Sequence, residues 1–581
     1  MAFSPCTGAD PIVRLTNNVT WVYFAMLLLA FMDIITITAN GQGSNSAPVV
    51  SIQLGDIMGV RRNISGKGVN RFLGIPYARK PVRHLRFRPP RPLTRGWNGV
   101  RKTTSFGPNC MQVFENFTDF PEWNLKGPMN EDCLYLNVWM PSPAPTRAPV
   151  MVWIHGGGLY SGATSLDAYN GDVLAAMEGV IVVSMNYRLG AFGFLSLYDA
   201  EIPGNMGMMD QVMALQWVRD NIGAFGGDPS QVTIFGESAG SVSVGFHLLS
   251  PLSRDLFNRA IMQSGGPTAY WAFRPEDEVL DMANSLAKNL GCDGFDSDVV
   301  KPVSIAKCLR QRSAADIVTA QTLDSRFFTV VEDNKFLSLS PQTLLQHQRF
   351  KPTPVLIGIN KNEGTWFLPL WLPDDFTLQE PINITQDVTA KAVATVLPCA
   401  PSLTKNIVAF QYTNWHQPDS QRSLLEAAEG IVGDTVISCP TLDFASVYAE
   451  AGYPVFLYHF EHRSERSPWP EWYGVLHGDE IQYVFGLTSI PGGNYGQTDD
   501  TVSRRIRKYW TNFAKTGDPN TEKDGDEEHL EWPRYTIEQQ KYLILDNDSN
   551  VTKTGERLRA SYCKFWSDIV PQLPTSGNCA L

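Results

Sequence analysis

The sequence predicts an α/β fold in which one large, mixed but mostly parallel sheet carries helices on both faces. Seven segments are predicted as strands, and most are continuous apolar runs, as in a parallel sheet buried on both faces. Five segments of helical character alternate with them, which is typical of doubly wound α/β proteins. The predicted strands are 134–140, 150–154, 180–185, 231–235, 260–262, 354–358 and 455–460. The predicted helices are 209–222, 241–249, 276–290, 421–451 and 502–515.

Length and composition favour one large domain over several. The chain has 581 residues, 43% of them hydrophobic and 18% charged, which supplies ample material for a core. A length of ~150 residues per domain would suggest about four domains. No internal repeat or long Pro/Gly/Ser linker divides the chain, so we expect a single domain over 49–573. A net charge of −11 without a basic stripe argues against nucleic-acid binding.

The N-terminal segment is typical of a secretory signal. Residues 21–37 are apolar and short, are interrupted by Asp33, and follow Arg14. We therefore expect a signal peptide over 1–39, a flexible leader over 40–48, and a secreted or cell-surface protein. A signal anchor is the alternative.

The sequons of the chain fit the secretory route, and its C-terminal tail predicts no lipid anchor. The tail 574–581 has no hydrophobic segment and hence no glycosylphosphatidylinositol signal. N-x-S/T sequons are predicted sites of N-glycosylation. They begin at Asn63, Asn116, Asn383, Asn547 and Asn550.

Nine cysteines in a secreted chain are expected to pair for the most part. The proposed pairs are Cys110 with Cys133 and Cys292 with Cys308, which close short loops, and Cys439 with Cys563, which closes a long one. Cys6 would leave with the signal peptide, which leaves Cys399 and Cys579. Cys579 lies in the polar tail and is predicted to bridge two subunits, giving a disulfide-linked homodimer. An unpaired tail thiol is the alternative.

A G-x-S-x-G motif stands between a predicted strand and a predicted helix. The apolar run 231–235 precedes Gly236, Ser238 and Gly240, and a helical pattern follows. Glycines suit a sharp strand-to-helix turn because side chains there would meet the neighbouring backbone. This context is that of the nucleophile elbow of an α/β-hydrolase, which exposes a serine above the sheet. The sequence therefore predicts Ser238 as a nucleophile.

A serine hydroxyl needs a base, and in this fold the order along the chain is Ser, then Asp or Glu, then His. His477 lies in a loop after the strand 455–460, where an imidazole can reach the upper edge of the sheet. Glu363 lies in the loop after the strand 354–358 and would hold His477 in the required tautomer. Asp374 and Asp375 are the alternative acids.

An oxyanion hole is predicted beside the serine. His155-Gly156-Gly157-Gly158 directly follows the strand 150–154, which is the HGGG-type motif. The backbone N–H groups of Gly157, Gly158 and Ala239 would donate to the oxyanion, each stabilising the transition state by about 3 kcal/mol. We expect no metal and no cofactor.

These motifs resemble the carboxylesterase/cholinesterase family, and the likeness extends from about residue 49 to residue 573. It rests on residues 71–78, 131–137, 155–158, 235–240 and 474–478. The resemblance implies a serine esterase of α/β-hydrolase fold that works through an acyl-enzyme, with Ser238, Glu363 and His477 as its triad. It also implies three intrachain disulfides that match the pairs above. In many cholinesterases a cysteine near the C-terminus links two subunits, and Cys579 matches it.

The resemblance further implies a choline-ester substrate. A quaternary ammonium is best bound by aromatic faces. Trp123 matches the choline-stacking tryptophan, and Glu237 adds negative potential beside the nucleophile. The other residues that fall at substrate-binding positions are Tyr160, Tyr169, Trp271, Trp366 and Phe367.

Two alternatives to a cholinesterase remain open. The aromatic residues could merely fill the core of a broad carboxylesterase, or the chain could be a catalytically inactive adhesion protein. The segment 324–330 aligns poorly with the family's acyl-pocket region, so the roles of Phe327 and Phe328 are also open.

Overall fold

The computed structural model describes residues 47–113, 123–292, 302–377, 383–490, 492–520, 531–547 and 553–574. Its strands are β1 Val49–Ile52, β2 Gly55–Met58, β3 Val60–Ile64, β4 Lys67–Pro76, β5 Arg101–Lys102, β6 Tyr135–Ser142, β7 Ala148–Ile154, β8 Ile181–Met185, β9 Gly227–Glu237, β10 Arg259–Gln263, β11 Val355–Asn360, β12 Val455–Phe460, β13 Lys541–Leu545 and β14 Thr554–Glu556.

The α-helices are α1 Asp172–Glu178, α2 Gly190–Phe194, α3 Met206–Asn221, α4 Ala239–Leu249, α5 Glu276–Asn289, α6 Pro302–Leu309, α7 Ala314–Gln321, α8 Pro341–Gln346, α9 Leu368–Trp371, α10 Val388–Val396, α11 Ser402–Tyr412, α12 Gln421–Gly433, α13 Cys439–Glu450, α14 Ile481–Val484, α15 Gln497–Thr516 and α16 Ala560–Lys564. The described residues from Val49 onward belong to one compact unit.

The main sheet confirms the predicted fold class. Its order is β14-β13-β12-β11-β10-β9-β7-β8-β6-β4-β3, and β1, β2 and β5 form a small separate sheet. The strands from β8 through β13 in this order are mutually parallel, and antiparallel strands flank them on both sides. All seven predicted strands belong to this sheet.

The continuous apolar runs are explained by burial of both faces of the sheet. In β7, Val150, Val152 and Ile154 pack into one hydrophobic cluster. The intervening Met151 and Trp153 pack into a second cluster on the opposite face. Because side chains alternate along a strand, a sheet covered on both sides needs apolar residues at every position.

The structure differs from the prediction at both ends of the sheet and in one helix. Strands β3 and β4 and strands β13 and β14 were not predicted; β3, for example, is mostly exposed and polar. The predicted helix 421–451 consists of α12 and α13 joined by a π-helical turn, Asp434–Ser438. The indole Nε1 of Trp271 donates to the carbonyl oxygen of Val436 in this turn, at 2.9 Å.

Three disulfides form as predicted: Cys110–Cys133, Cys292–Cys308 and Cys439–Cys563. Asn63, Asn383 and Asn547 are exposed, as glycosylation requires. The predicted signal peptide, Asn116, Asn550 and Cys579 lie outside the described residues, so predictions for them stay predictions. Within the described ranges, no helix is both long and apolar enough to cross a membrane.

Candidate active site

Ser238 occupies a tight turn between β9 and α4. Its backbone φ is +57°, a conformation that costs free energy in a non-glycine residue and that clusters at active sites. The turn is possible because its neighbours lack side chains. A Cβ on Gly240 would lie 2.0 Å from the carbonyl oxygen of Ile154, and one on Gly236 would lie 2.6 Å from the carbonyl carbon of Gly240. The elbow thus presents a half-buried serine at the N-terminus of a helix.

Glu363 and His477 meet at the same edge of the sheet. The Nδ1 of His477 lies 2.6 Å from Oε2 of Glu363, and both side chains are buried. The other carboxylate oxygen of Glu363 accepts a hydrogen bond from the backbone N–H of Asn360, at 2.7 Å. Both oxygens are therefore held, which fixes the carboxylate and with it the orientation of the imidazole. The alternative acid Asp375 instead pairs with Lys391, at 2.9 Å.

The loops that carry these two residues are fastened to each other. Asn362 and Leu476 form a parallel bridge, and the N–H of Asn362 donates to the carbonyl oxygen of Val475 at 2.9 Å. The side-chain amide of Asn360 donates to the carbonyl oxygen of Leu476, at 2.8 Å. Although Glu363 and His477 are far apart in sequence, their separation in space is thus set by backbone pairing.

The Nε2 of His477 faces the residue before Ser238. It lies 3.1 Å from Oε1 of Glu237. The two atoms are close but do not meet hydrogen-bond geometry, and neither has a hydrogen-bond partner among the described residues. An imidazole held at Nδ1 and unengaged at Nε2 can accept a proton from a nearby hydroxyl.

Negative charge dominates the electrostatics of this site. Burial lowers the pKa of His477, but the carboxylates of Glu237 and Glu363 outweigh burial and raise that pKa to about 9. Burial raises the pKa of Glu237, and Glu480 and Glu363 add to this rise, whereas the positive charge of His477 opposes it and favours the carboxylate. The imidazolium form of His477 is therefore strongly stabilised in the free protein.

Sequence reasoning missed Glu480. This buried carboxylate accepts hydrogen bonds from the Nε2 of Gln263, at 2.9 Å, and from the side-chain amide of Asn360, at 2.6 Å. Burial raises its pKa. The backbone N–H of Asn360 also donates to Glu363, so Glu480 stabilises the position of Glu363 indirectly, through Asn360. No local pattern in the sequence marks it, because its partners Gln263 and Asn360 are 217 and 120 positions away in the chain.

The glycine-rich loop after β7 lies against the elbow. A Cβ on Gly156 would lie 2.8 Å from the carbonyl oxygen of Glu237 and 3.1 Å from Cβ of Ser238. Gly157 and Gly158 have φ of +102° and +60°, the left-handed region that favours glycine. Burial lowers the pKa of His155 to about 4, so this histidine is a neutral packing residue that stacks on Tyr187.

Five of the six predicted aromatic residues make ring contacts in three groups, and the sixth, Trp271, forms a hydrogen bond with Val436 instead. Phe367 lies 5.4 Å from the ring of His477, and Trp366 packs its edge against Trp469 at 5.5 Å. Trp123 contacts Tyr169 edge-to-face at 6.1 Å, and Tyr169 is buried. The third group lies beside the glycine-rich loop and is a stacked pair whose ring centroids are 4.1 Å apart, Tyr160 and Phe327.

Partial exposure separates most of these aromatic residues from ordinary core residues. Trp123, Tyr160, Trp271, Trp366 and Phe367 each keep part of their surface open. Rings that are open to solvent on one side can contact a ligand, whereas Tyr169 supports Trp123 from within the core.

The chain is similar to known proteins over nearly its whole length. The model of the carboxylesterase family matches residues 46–566. The chain is also 40% identical over 565 residues to acetylcholinesterase of Bungarus fasciatus, an alignment that covers 95% of this chain and 91% of that protein.

Proposed function

Because the chain belongs to the carboxylesterase family, we propose that it is a serine esterase that cleaves choline esters such as acetylcholine. The catalytic part of this proposal rests on the Glu363–His477 hydrogen bond, which leaves Nε2 of His477 without a hydrogen bond near the turn that holds Ser238. Identity to an acetylcholinesterase supports the choline-ester part.

In the proposed mechanism Ser238 attacks the ester carbonyl while Nε2 of His477 takes its proton. Glu363 holds the imidazole and stabilises the imidazolium. The oxygen of the tetrahedral intermediate accepts hydrogen bonds from the N–H groups of Gly157, Gly158 and Ala239. His477 then gives its proton to the leaving alcohol. A water molecule, activated by the same imidazole, releases the acid from the acyl-enzyme.

We place the trimethylammonium group of the substrate against Trp123. An aromatic face attracts a cation that cannot form hydrogen bonds. Glu237 would add negative potential, and Tyr160, Tyr169, Trp271, Trp366 and Phe367 would line or support the site. The overall charge of −11 favours the approach of a cationic substrate.

A secreted or extracellular protein fits both the family relative and the predicted signal peptide. The disulfide-linked homodimer through Cys579 stays a prediction.

Two alternatives make different predictions in one assay. A broad carboxylesterase would hydrolyse a neutral aryl ester as well as acetylthiocholine, and an inactive adhesion protein would hydrolyse neither. The purified protein should instead show a higher kcat/KM for acetylthiocholine. Equal values on the two substrates would reject the choline-ester proposal and leave the esterase proposal intact.

Replacing the nucleophile tests the esterase proposal itself. Ser238→Ala should lower kcat by about 10⁴-fold or more, since a triad member is lost. Alanine tolerates this backbone no worse than serine, so the circular dichroism spectrum should be unchanged. An organophosphate should label Ser238 in the wild type and no serine in the variant. Near-normal turnover by well-folded Ser238→Ala protein would reject the mechanism.

A further inference from the structure

One short segment concentrates positive charge in a chain that is acidic as a whole. Residues 79–102, called the basic segment below, contain nine Lys and Arg residues and no Asp or Glu, whereas the whole chain has a net charge of −11. The segment follows β4, includes β5 and lies entirely within the described residues. The net charge conceals it, so the absence of a basic stripe expected from the sequence does not hold for this part of the surface.

Inward-facing arginines anchor the basic segment to the rest of the protein. Arg86 is buried and pairs with Glu131 at 2.5 Å, and its guanidinium also donates to the carbonyl oxygen of Arg312 at 2.7 Å. Arg88 pairs with Glu201, also at 2.5 Å. These partners are distant in sequence, so the ion pairs hold the backbone of the segment in place and preform its outer surface.

Four outward-facing arginines of the basic segment are exposed, namely Arg79, Arg83, Arg91 and Arg95. Across the ranges that the structure describes, no carboxylate forms an ion pair with any of the four, and their side chains form no hydrogen bond. Neighbouring cations repel one another, so the set contributes nothing to the stability of the fold. It is available to bind an external anion.

The backbone keeps these four arginines close together. The N–H of Arg79 donates to the carbonyl oxygen of Arg91 at 2.8 Å, which closes a loop between them. Arg83 lies in a 3₁₀ turn within this loop, four positions after Arg79, and Arg95 is four positions after Arg91. Because four residues span at most about 14 Å, the four side chains start from one patch of the surface.

The chemistry of this patch fits a linear polyanion that carries sulfate groups. A guanidinium binds a tetrahedral oxyanion through two parallel N–H groups and stays charged at physiological pH. Spacing of several such groups along the patch suits a chain of anions better than a single small ion.

Nucleic acids and membranes match the patch less well. Single-stranded nucleic acids stack on exposed aromatic rings. The aromatic residues of the basic segment are Phe87, which is buried, and Trp97, over whose ring Arg101 lies at 5.3 Å. Membrane surfaces are bound by amphipathic helices with large apolar faces. The basic segment has only a three-residue 3₁₀ turn, and Val100 is its one exposed large apolar side chain.

We propose that Arg79, Arg83, Arg91 and Arg95 form a docking surface for a linear sulfated polysaccharide. Polysaccharides of this class occur outside cells, where the predicted signal peptide would direct the protein, and such a surface would retain it in the extracellular matrix. The surface is distinct from the candidate active site. Strand β4, from which the basic segment emerges, is separated from β9 by three strands, a distance of about 19 Å across the sheet.

Binding to immobilised heparin, a highly sulfated polysaccharide, tests the proposal by surface plasmon resonance. The purified protein should bind heparin at a physiological ionic strength of about 0.15 M. The affinity should fall steeply as NaCl is added, because binding releases counterions. DNA and vesicles of phosphatidylcholine with phosphatidylserine should bind more weakly under the same conditions. Absence of heparin binding, or binding of DNA or vesicles as tight as that of heparin, would overturn the proposal.

A quadruple variant locates the surface. The combination of Arg79→Gln, Arg83→Gln, Arg91→Gln and Arg95→Gln should weaken heparin binding about 100-fold or more, since four ionic contacts are lost. The slope of log Kd against log NaCl concentration should fall by about 3 to 4 for the same reason.

A matched control removes the same number of charges from exposed residues elsewhere, which likewise have no ion pair within the described part of the chain. It combines Arg254→Gln, Lys335→Gln, Arg349→Gln and Arg557→Gln. This control should bind heparin as the wild type does. Both variants should keep the wild-type circular dichroism spectrum and the wild-type activity on a neutral ester, because all the replaced side chains are exposed and outside the candidate active site. Equal losses of affinity in the two variants, or an unchanged affinity in the variant of the basic segment, would contradict the proposal.

Discussion

Glu237 places a carboxylate 3.1 Å from Nε2 of His477, the nitrogen that receives the serine proton in the proposed mechanism. Because Glu237 is next to Ser238 in the sequence, its negative charge is expected to attract a cationic substrate. The structure adds a second consequence, since the same charge stabilises the protonated form of the base. We therefore expect Glu237 to influence both the substrate preference and the pH range of activity.

The pH dependence of Glu237→Gln separates these two effects. His477 must be neutral to accept a proton, and nearby carboxylates raise its pKa to about 9, so kcat/KM should rise with pH toward that value. Removing the Glu237 charge lowers the pKa of His477, and the rising limb should move to lower pH. The measurement uses a neutral aryl ester, on which cation binding has no influence. Glu471→Gln, at an exposed position in the segment before His477, should leave the profile unchanged. An unmoved limb in Glu237→Gln would contradict the assigned cause.

Trp123 is the residue on which the choline-ester proposal depends most. A desolvated cation–π contact contributes about 2 kcal/mol. Trp123→Ala should therefore raise KM for acetylthiocholine by about 30-fold. A neutral ester gains nothing from this contact, so its KM should change little. Trp415→Ala, at an exposed tryptophan that packs on Phe410, should change neither substrate. Equal losses on both esters would show that Trp123 only supports packing against Tyr169.

The turn at Ser238 depends on the absence of a side chain at Gly240. Gly240→Ala would place a Cβ 2.0 Å from the carbonyl oxygen of Ile154 and force β7 away from α4. We expect a loss of about 1–3 kcal/mol in the free energy of unfolding, as for other overpacked sites, and a large fall in kcat. The midpoint of urea unfolding and the rate of ester hydrolysis measure the two effects.

Gly223→Ala is the matched control for the elbow variant. A Cβ at this position would meet nothing within 4 Å, and its backbone is not in the left-handed region. It should therefore change neither the unfolding midpoint nor the rate. If the Gly240→Ala protein had the same unfolding midpoint and the same rate as the Gly223→Ala protein, the turn would have space for a methyl group and the predicted clash would be wrong.

The sequence predicted the central elements well because their physical signals were local. Apolar runs marked each strand of the parallel part of the sheet except β13, and the glycines around Ser238 marked the turn between β9 and α4. The edge strand β3 was missed because its residues are largely polar and exposed, and such a strand lacks an apolar pattern. The π-helical turn was missed because no residue pattern along the helix marks it; in the structure its Val436 carbonyl oxygen accepts the hydrogen bond from Trp271.

At the scale of the whole molecule, the candidate site was predicted from the order of residues along the chain. Hydrogen bonds between loops that are distant in sequence then bring its residues together. The order Ser, Glu, His selected Ser238, Glu363 and His477. Neither Glu480 nor Asn360 has a signal of that kind, because their role depends on hydrogen bonds between residues over 100 positions apart. Networks of this type become visible only when the sheet has brought its loop ends together.

Disulfides restrict the whole molecule, and loop length sets how strongly. Cys439–Cys563 closes a loop with a sequence separation of 124, and Cys292–Cys308 closes one of 16. Chain entropy of the unfolded state then gives a stabilisation of about 5 kcal/mol for the long loop and about 3 kcal/mol for the short one. The pair Cys439→Ala and Cys563→Ala should therefore destabilise the protein by about 2 kcal/mol more than the pair Cys292→Ala and Cys308→Ala.

The two double variants are compared by the urea midpoint and by the half-life of esterase activity at one elevated temperature, because large secreted proteins often unfold irreversibly. Cys439 and Cys563 are both buried in the main hydrophobic cluster, and alanine there leaves no polar group unpaired. We expect the long-loop variant to have the lower midpoint and the shorter half-life. If the short-loop variant lost as much stability as the long-loop variant, or more, loop entropy would not be the main contribution of these disulfides. Strain or packing at each bridge would then have to explain the effect.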